Sequence, residues 1–183
     1  IQLVSLVLPG GHTSPTSPGG AQFNFDEVPA DLDHLVYEQV LSPLQDDRPV
    51  TTPQTPVHLR IPAINVDHAI VQGVDWTALT MGIGQLLNEV TPDDSDGNIV
   101  LVAHNDIYGE IFRDLDQLES GMEFQIETET GTYTYVVTGW EIVEPDAVYV
   151  MESRGYPTAT LISGYPYQVN THRIVVFADQ LIE

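Results

Sequence analysis

The sequence predicts a mostly β chain: a closed or nearly closed barrel with one or two short helices, preceded by an N-terminal extension. Three observations carry this expectation. Short segments rich in β-branched and aromatic residues recur from Val57 onward, bounded by Gly, Pro, Asn or Asp. Segments with helical spacing are few and short. Pro-, Gly-, Ser- and Thr-rich stretches, Pro9 to Gly20 and Pro49 to Pro56, separate residues 1–56 from a compact domain at 57–183. Many strands with few helices to cover them satisfy their edges best by closure. A chain of 183 residues suits one such domain plus an extension, with a core that needs no covalent staple.

Taken in order, Ile1 to Leu8 is apolar but much shorter than the ~20 residues of a spanning helix. It fits the outer end of a membrane anchor, a strand or a processed terminus. Asp31 to Leu41 has apolar residues at 32, 35, 36, 40 and 41, the pattern of a short amphipathic helix. His58 to Gly73 alternates over much of its length and reads as two short strands, with Pro62 at a break or edge. Trp76 to Met81 is a short helical turn; Gly82, Gly84 and Pro92 to Gly97 read as loops. Asn98 to His104 is a buried-strand pattern ending on a histidine. Ile107 to Leu118 places apolar residues at 107, 108, 111, 112, 115 and 118 on one helical face. Strands are then expected at Glu123–Glu127, Thr132–Val143, Val148–Met151, Thr158–Ser163 and Arg173–Ala178, with Gly131 in the turn between the first two.

Charge narrows the choice of partner. The chain has 27 acidic and 5 basic residues, a formal charge of −22, and no lysine. So acidic a surface disfavours nucleic acid, whose binding needs a basic patch, and also anionic lipid. It would suit a cationic partner or divalent ions, and reads first as a solvated coat for solubility or a salty habitat. The absence of lysine means the chain offers no lysine amine to a coupling reaction. No cysteine is present, so redox compartment is not legible here. The loop Asp93-Asp94-Ser95-Asp96-Gly97 has the oxygen ligands that calcium prefers, without full EF-hand spacing or its closing Glu. It reads first as a solvated turn, with no cofactor required and Ca2+ as the alternative.

The organising stretch is Thr160-Leu161-Ile162-Ser163-Gly164-Tyr165-Pro166-Tyr167, followed by Asn170-Thr171-His172-Arg173 and an apolar strand. Two buried strands meeting at one loop put polar groups at a sheet rim, where a ligand can reach them. Alone, this is also how an ordinary hairpin with a solvent-facing arginine looks.

Read with the rest of the chain, the stretch resembles the active-site strand pair of sortases, the cysteine transpeptidases that anchor proteins on cell surfaces. Their pattern is Thr-Leu-x-Thr-Cys, a loop, then Arg opening the next strand. Thr160, Leu161, Ser163, Pro166, Tyr167, Asn170, His172 and Arg173 fit it. The Ile-Pro-x-Ile at residues 61–64 looks like the opening of a sortase domain, and Phe112 to Leu118 resembles the family's Phe-x-x-Leu segment. His104, Gly164 and Arg173 follow the family's chain order of His, Cys and Arg. The resemblance spans roughly Leu59 to Ala178; it departs slightly at Ala103-His104, where the family usually has Gly-His, and above all at Gly164, which stands where the family has its cysteine.

The resemblance implies a thiolate attacking the Thr–Gly carbonyl of a Leu-Pro-x-Thr-Gly-type signal. An imidazole at His104 would pass protons to and from the amines, and a guanidinium at Arg173 would hold the carbonyl or oxyanion. Glycine supplies none of the nucleophile's part. Ser163 is adjacent, but successive strand side chains face opposite ways, and Tyr165 shares that limit if the strand continues. The expected site is therefore His104 and Arg173 beside the vacant position of Gly164, with Ser163, Tyr165 and Tyr167 as ligand contacts. Three readings stay open, one of them a purely structural all-β module in which His104 and Arg173 are incidental. Another is a pseudoenzyme at the cell surface, membrane-anchored through its N-terminus. It binds an extended peptide or surface-protein tail, or serves as a structural subunit of a surface or membrane assembly. The third is an active transpeptidase whose cysteine position holds glycine in this chain.

Overall fold

A computed structural model describes residues 51–182. The apolar start, the linker at 9–20 and the helix expected at Asp31 to Leu41 lie outside the described residues. Eight strands form a closed barrel. They are β1 (His58–Ile61), β2 (Val66–Gln72), β3 (Ile83–Gln85), β4 (Asn98–Val102), β5 (Glu123–Glu127), β6 (Thr132–Val143), β7 (Thr158–Tyr165) and β8 (His172–Gln180). Their order around the barrel is β1-β2-β3-β4-β7-β8-β6-β5, closed by pairing of β1 with β5. The pairs β2–β3 and β4–β7 are parallel; the other pairs are antiparallel.

Two apolar clusters share the sheet. The barrel interior holds Leu59, Ile61, Ile99, Leu101, Phe124, Ile126, Leu161 and Val176, among others. A second cluster lies outside it: Val74, Leu79, Val100, Val102, Val150, Ile162 and Val175. This is why β4 and β7 read as unbroken apolar runs: both of their faces are covered, as parallel strands require. Every residue of β4 is buried, and so is β7 up to Gly164. By contrast β5 alternates buried Phe124 and Ile126 with exposed Glu123 and partly exposed Gln125 and Glu127, because only one of its faces is fully covered. Full burial of each large aliphatic side chain contributes ~1.5–3 kcal/mol.

The second cluster is roofed by helix α1 (Trp76–Met81) and by the β6–β7 connection. Helix α1 starts where the Asp75 carboxylate accepts a 2.8 Å hydrogen bond from Ala78 N, a standard N-cap. The β6–β7 connection is fastened from below. Asn98 Nδ2 donates to the carbonyls of Val150 (3.3 Å) and Glu152 (3.1 Å), while its Oδ1 accepts from Thr160 Oγ1 (2.9 Å).

Three local expectations change. Val148–Met151 is a 3-10 turn, not a strand: its apolar residue Val150 drops into the outer cluster while the segment crosses over β7. Ile107 to Leu118 is not a helix. Tyr108, Gly109 and Glu110 have φ of 49°, 92° and 51°, which a right-handed helix forbids, and only Leu115–Gln117 forms a 3-10 turn. The apolar spacing is met by turns that deliver Ile111, Phe112, Leu115 and Leu118 to the barrel interior. Ile83–Gln85, expected as loop, is β3. Gly84 permits it, since a Cβ there would stand 2.4 Å from the Gly73 carbonyl oxygen.

Candidate active site

The register of three neighbouring strands builds the site. Val102 pairs with Ile162 in the parallel β4–β7 ladder, and Gly164 pairs with Arg173 in the antiparallel β7–β8 ladder. Continuing the first register two residues puts His104 level with Gly164. The three positions therefore form one row across β4, β7 and β8. They extend the outer face that carries Val102, Ile162 and Val175.

His104 is 6 % exposed and lies two residues past the end of β4. Its ring packs edge-on against Trp76 at 5.7 Å between centroids and lies 5.6 Å from Tyr108, which itself meets Trp76 at 5.3 Å. The His104 carbonyl accepts from Phe112 N at 3.0 Å, so the loop after it turns back at once. Arg173 is 2 % exposed, the largest fully covered side chain among the described residues. Its Nη1 donates to the carbonyls of His172 (2.8 Å) and Asn170 (3.3 Å), which fixes the plane of the guanidinium. Arginine suits this place because it keeps its charge when covered.

The sequence's other candidates separate by face. Ser163 does not front the site. It is wholly covered, on the interior side of β7, and its Oγ donates to the Ala103 carbonyl at 2.7 Å. That bond makes it a strut between β7 and the chain entering His104. Tyr165 is half-buried against the barrel interior cluster. Tyr167 stands at the rim: its hydroxyl donates to Glu110 Oε1 at 2.7 Å, and the Arg113 guanidinium lies over its ring at 4.5 Å. Arg113 also bonds Glu110 at 2.7 Å. The Tyr167 hydrogen bond, reinforced by Arg113, holds the Glu110 carboxyl below the usual carboxylate range, and the same bond pushes the Tyr167 phenol up.

The structure adds three groups to the site: Asn105, Asp106 and Asn170. Asn105 Nδ2 donates to the Gly164 carbonyl at 2.7 Å, and Asn170 Nδ2 donates to Asp106 Oδ2 at 2.9 Å. The place where a side chain at Gly164 would go is occupied. A Cβ there would lie 2.2 Å from Asn170 Oδ1, 2.8 Å from its Cγ and 3.3 Å from its Cβ. The only hint of this in the sequence is that Asn-Asp directly follows His104 and Asn170 precedes Arg173 by three. Nothing local says the two loops meet.

Around Gly164 stand the side chains of His104, Arg173, Asn105 and Asn170. Among the described residues, no group of three or more His, Asp or Glu is placed to hold a metal ion. Asp93 accepts from the Tyr133 hydroxyl at 2.7 Å, and Asp94 Oδ2 accepts from Thr91 N at 2.6 Å and from its hydroxyl at 3.2 Å. Asp94 thus braces the turn at Thr91, and Asp93 ties the turn to β6. Likewise, among the described residues no helix is long and apolar enough to cross a membrane.

Comparison with known proteins gives the same outline. The family model "Sortase domain" matches residues 59–181. Sortase D of Bacillus subtilis (strain 168) is 35% identical over 88 residues, 48% of this chain and 42% of that protein. Sortase A of Bacillus anthracis is 28% identical over 123 residues, 66% of this chain and 57% of that protein. The alignments thus span about half the length of these curated relatives. Among solved structures, the complex of Streptococcus agalactiae sortase C1 and MTSET matches with a TM-score of 0.69 at 27% identity, covering 84% of this chain and 79% of that one. Sortase C-1 from Actinomyces oris matches with a TM-score of 0.66 at 27% identity, covering 83% and 85%.

Proposed function

Because the chain belongs to the sortase family, we propose that it is a cell-surface peptide-holding protein that grips an extended tail without forming a covalent bond to it. The observation that carries this is Gly164, in register with Arg173 and level with His104, where the family keeps its thiol. Sortases are cell-surface associated and act on peptide segments of surface proteins; this groove keeps the polar groups for such a segment and lacks the attacking atom.

Each retained residue has work in that reading. The fixed Arg173 guanidinium favours a peptide carbonyl, and no proton need move. His104, walled by Trp76 and Tyr108, offers a ring nitrogen to a peptide N–H or carbonyl according to its tautomer. Tyr167 with Glu110 and Arg113 forms the rim over which the tail passes. A role as a structural subunit of a surface or membrane assembly, docked through residues 1–56 behind a membrane anchor, extends the same proposal. One observation favours the second reading, an active cysteine transpeptidase altered at a single position: His104 and Arg173 both keep their places in the row.

Calorimetry tests the proposal directly. Titration of the native chain with Leu-Pro-x-Thr-Gly peptides is expected to give saturable binding with no change in peptide mass. Arg173→Met is expected to weaken binding by about tenfold or more, with its fold verified by circular dichroism. Cleavage or amine transfer by the native chain contradicts the reading, as does binding that is indifferent to Arg173.

A further inference from the structure

Gly164 removes a side chain, yet the slot is not left open: the Asn170 carboxamide enters it from the β7–β8 loop. Three features hold it there. Asn170 has φ +56°, a left-handed conformation that Asn tolerates better than most residues. Its Nδ2 is anchored on Asp106, which turns Oδ1 the other way, toward Gly164. Its own carbonyl is held by Arg173 Nη1. Asn105 braces the opposite side by donating to the Gly164 carbonyl. The loop after β4 and the loop after β7 are thereby clasped across the slot. Asn170 Oδ1 is buried and has no hydrogen-bond partner among the described residues. An amide seeking only polar contacts would not choose that environment, since a buried acceptor without a donor is costly. What places it there is the space that glycine leaves.

We propose that Asn170 is the plug of the vacant nucleophile slot, a positioning residue whose side chain occupies the volume a nucleophile would use. It sets how deeply a bound tail can enter. This rests on the peptide-holding reading: the tail meets a carboxamide and crosses the slot without its carbonyl reaching β7. Position 164 and Asn170 compete for one space, so a side chain at 164 must expel the amide from Asp106.

The competition is measurable without any ligand. In urea unfolding, Gly164→Ala is expected to lower the folding equilibrium constant by about tenfold in the native background. In an Asn170→Gly background, where the backbone keeps its left-handed turn without strain, the same change is expected to cost less than about threefold. Equal costs in both backgrounds overturn the plug. A second readout uses the absence of any native cysteine. The single thiol of Gly164→Cys is expected to react with Ellman's reagent about tenfold faster once Asn170→Gly is added, and faster also with Asp106→Ala. Unchanged rates in both count against the proposal. If the 164 variants do not fold, side-chain amide exchange of the native chain decides. Slow exchange of the Asn170 Nδ2 protons supports the plug, and exchange at the rate of an exposed amide overturns it. Because no ligand enters these measurements, the plug and the peptide-holding reading can fail separately.

Discussion

Gly84 and Gly164 both sit in strands, both are buried, and neither has room for a Cβ, yet they are glycines for different reasons. At Gly84 the obstacle is backbone: the Gly73 carbonyl oxygen at 2.4 Å, with Leu79 Cδ2 at 2.9 Å. Strand β3 can run parallel to β2, with Gly84 paired to Val71, only if this residue has no side chain. At Gly164 the obstacle is the tip of one flexible side chain, Asn170. The first glycine is demanded by the fold. The second faces only a side-chain tip that can move, so the barrel itself does not require it. The same contrast divides the regions: the β2–β3 end is fixed by main chain, and the β7 end by a clasp of side chains between two loops.

The sharpest way to break that contrast is to add one methyl group at each place. Gly84→Ala is expected to destabilise the chain by about 3 kcal/mol or more, because neither the Gly73 carbonyl nor the strand can yield. Gly164→Ala is expected to cost only about 1–1.5 kcal/mol, since Asn170 can rotate away. Urea midpoints compare them directly, and equal costs would erase the distinction. Between these lies Asn98→Ala. It leaves Thr160 Oγ1 without its 2.9 Å partner and frees the β6–β7 connection from Asn98, at an expected cost of about 2–3 kcal/mol. The outer cluster should loosen before the barrel interior does, as hydrogen exchange at Val100 and Ile162 against Leu59 and Ile126 would register.

The smallest effect concerns the rim. The hydrogen bond from Tyr167, with Arg113 beside it, lowers the folded-state pKa of Glu110. A depressed carboxyl contributes stability that is complete above its unfolded value, about 4.3, and fades as pH falls through the lower folded value. The stability difference between the native chain and Glu110→Gln is therefore expected to be constant near neutrality and to shrink on acidification below about pH 4. The group is solvent-exposed, so the change is small. A difference that instead grows with acidification would reverse the assigned sign.

How much of this could be read from the sequence depends on whether the cause was local. Strands β5 and β6 fall on their expected bounds because alternation or a long β-branched run is itself the signal. Strand β3 was hidden: three residues containing a glycine carry no period, and its pairing with β2 and β4 is non-local. The expected helix at Ile107 to Leu118 failed because periodicity records which residues are buried, not the path between them. Three successive left-handed residues supply a different path to the same burial. His104, Gly164 and Arg173 were singled out by their order along the chain; the register sets them in one row, which the sequence alone does not show. Asn170 with Asp106 was not legible, because their hydrogen bond joins residues 64 apart on two loops.

The central proposal is that this barrel keeps His104 and Arg173 placed for the family's chemistry, beside a slot that has no thiol and that the movable Asn170 side chain fills. Intact-mass analysis tests it most directly. The native chain and Gly164→Cys are each incubated with Leu-Pro-x-Thr-Gly peptides, with and without an amine acceptor. The account predicts no adduct on the native chain. For Gly164→Cys it predicts an added mass equal to the peptide's acyl portion, discharged when amine is supplied. An adduct on the native chain would contradict the account. So would a folded Gly164→Cys protein that binds the peptide yet never acylates, because His104 and Arg173 would then no longer be arranged for the family's chemistry.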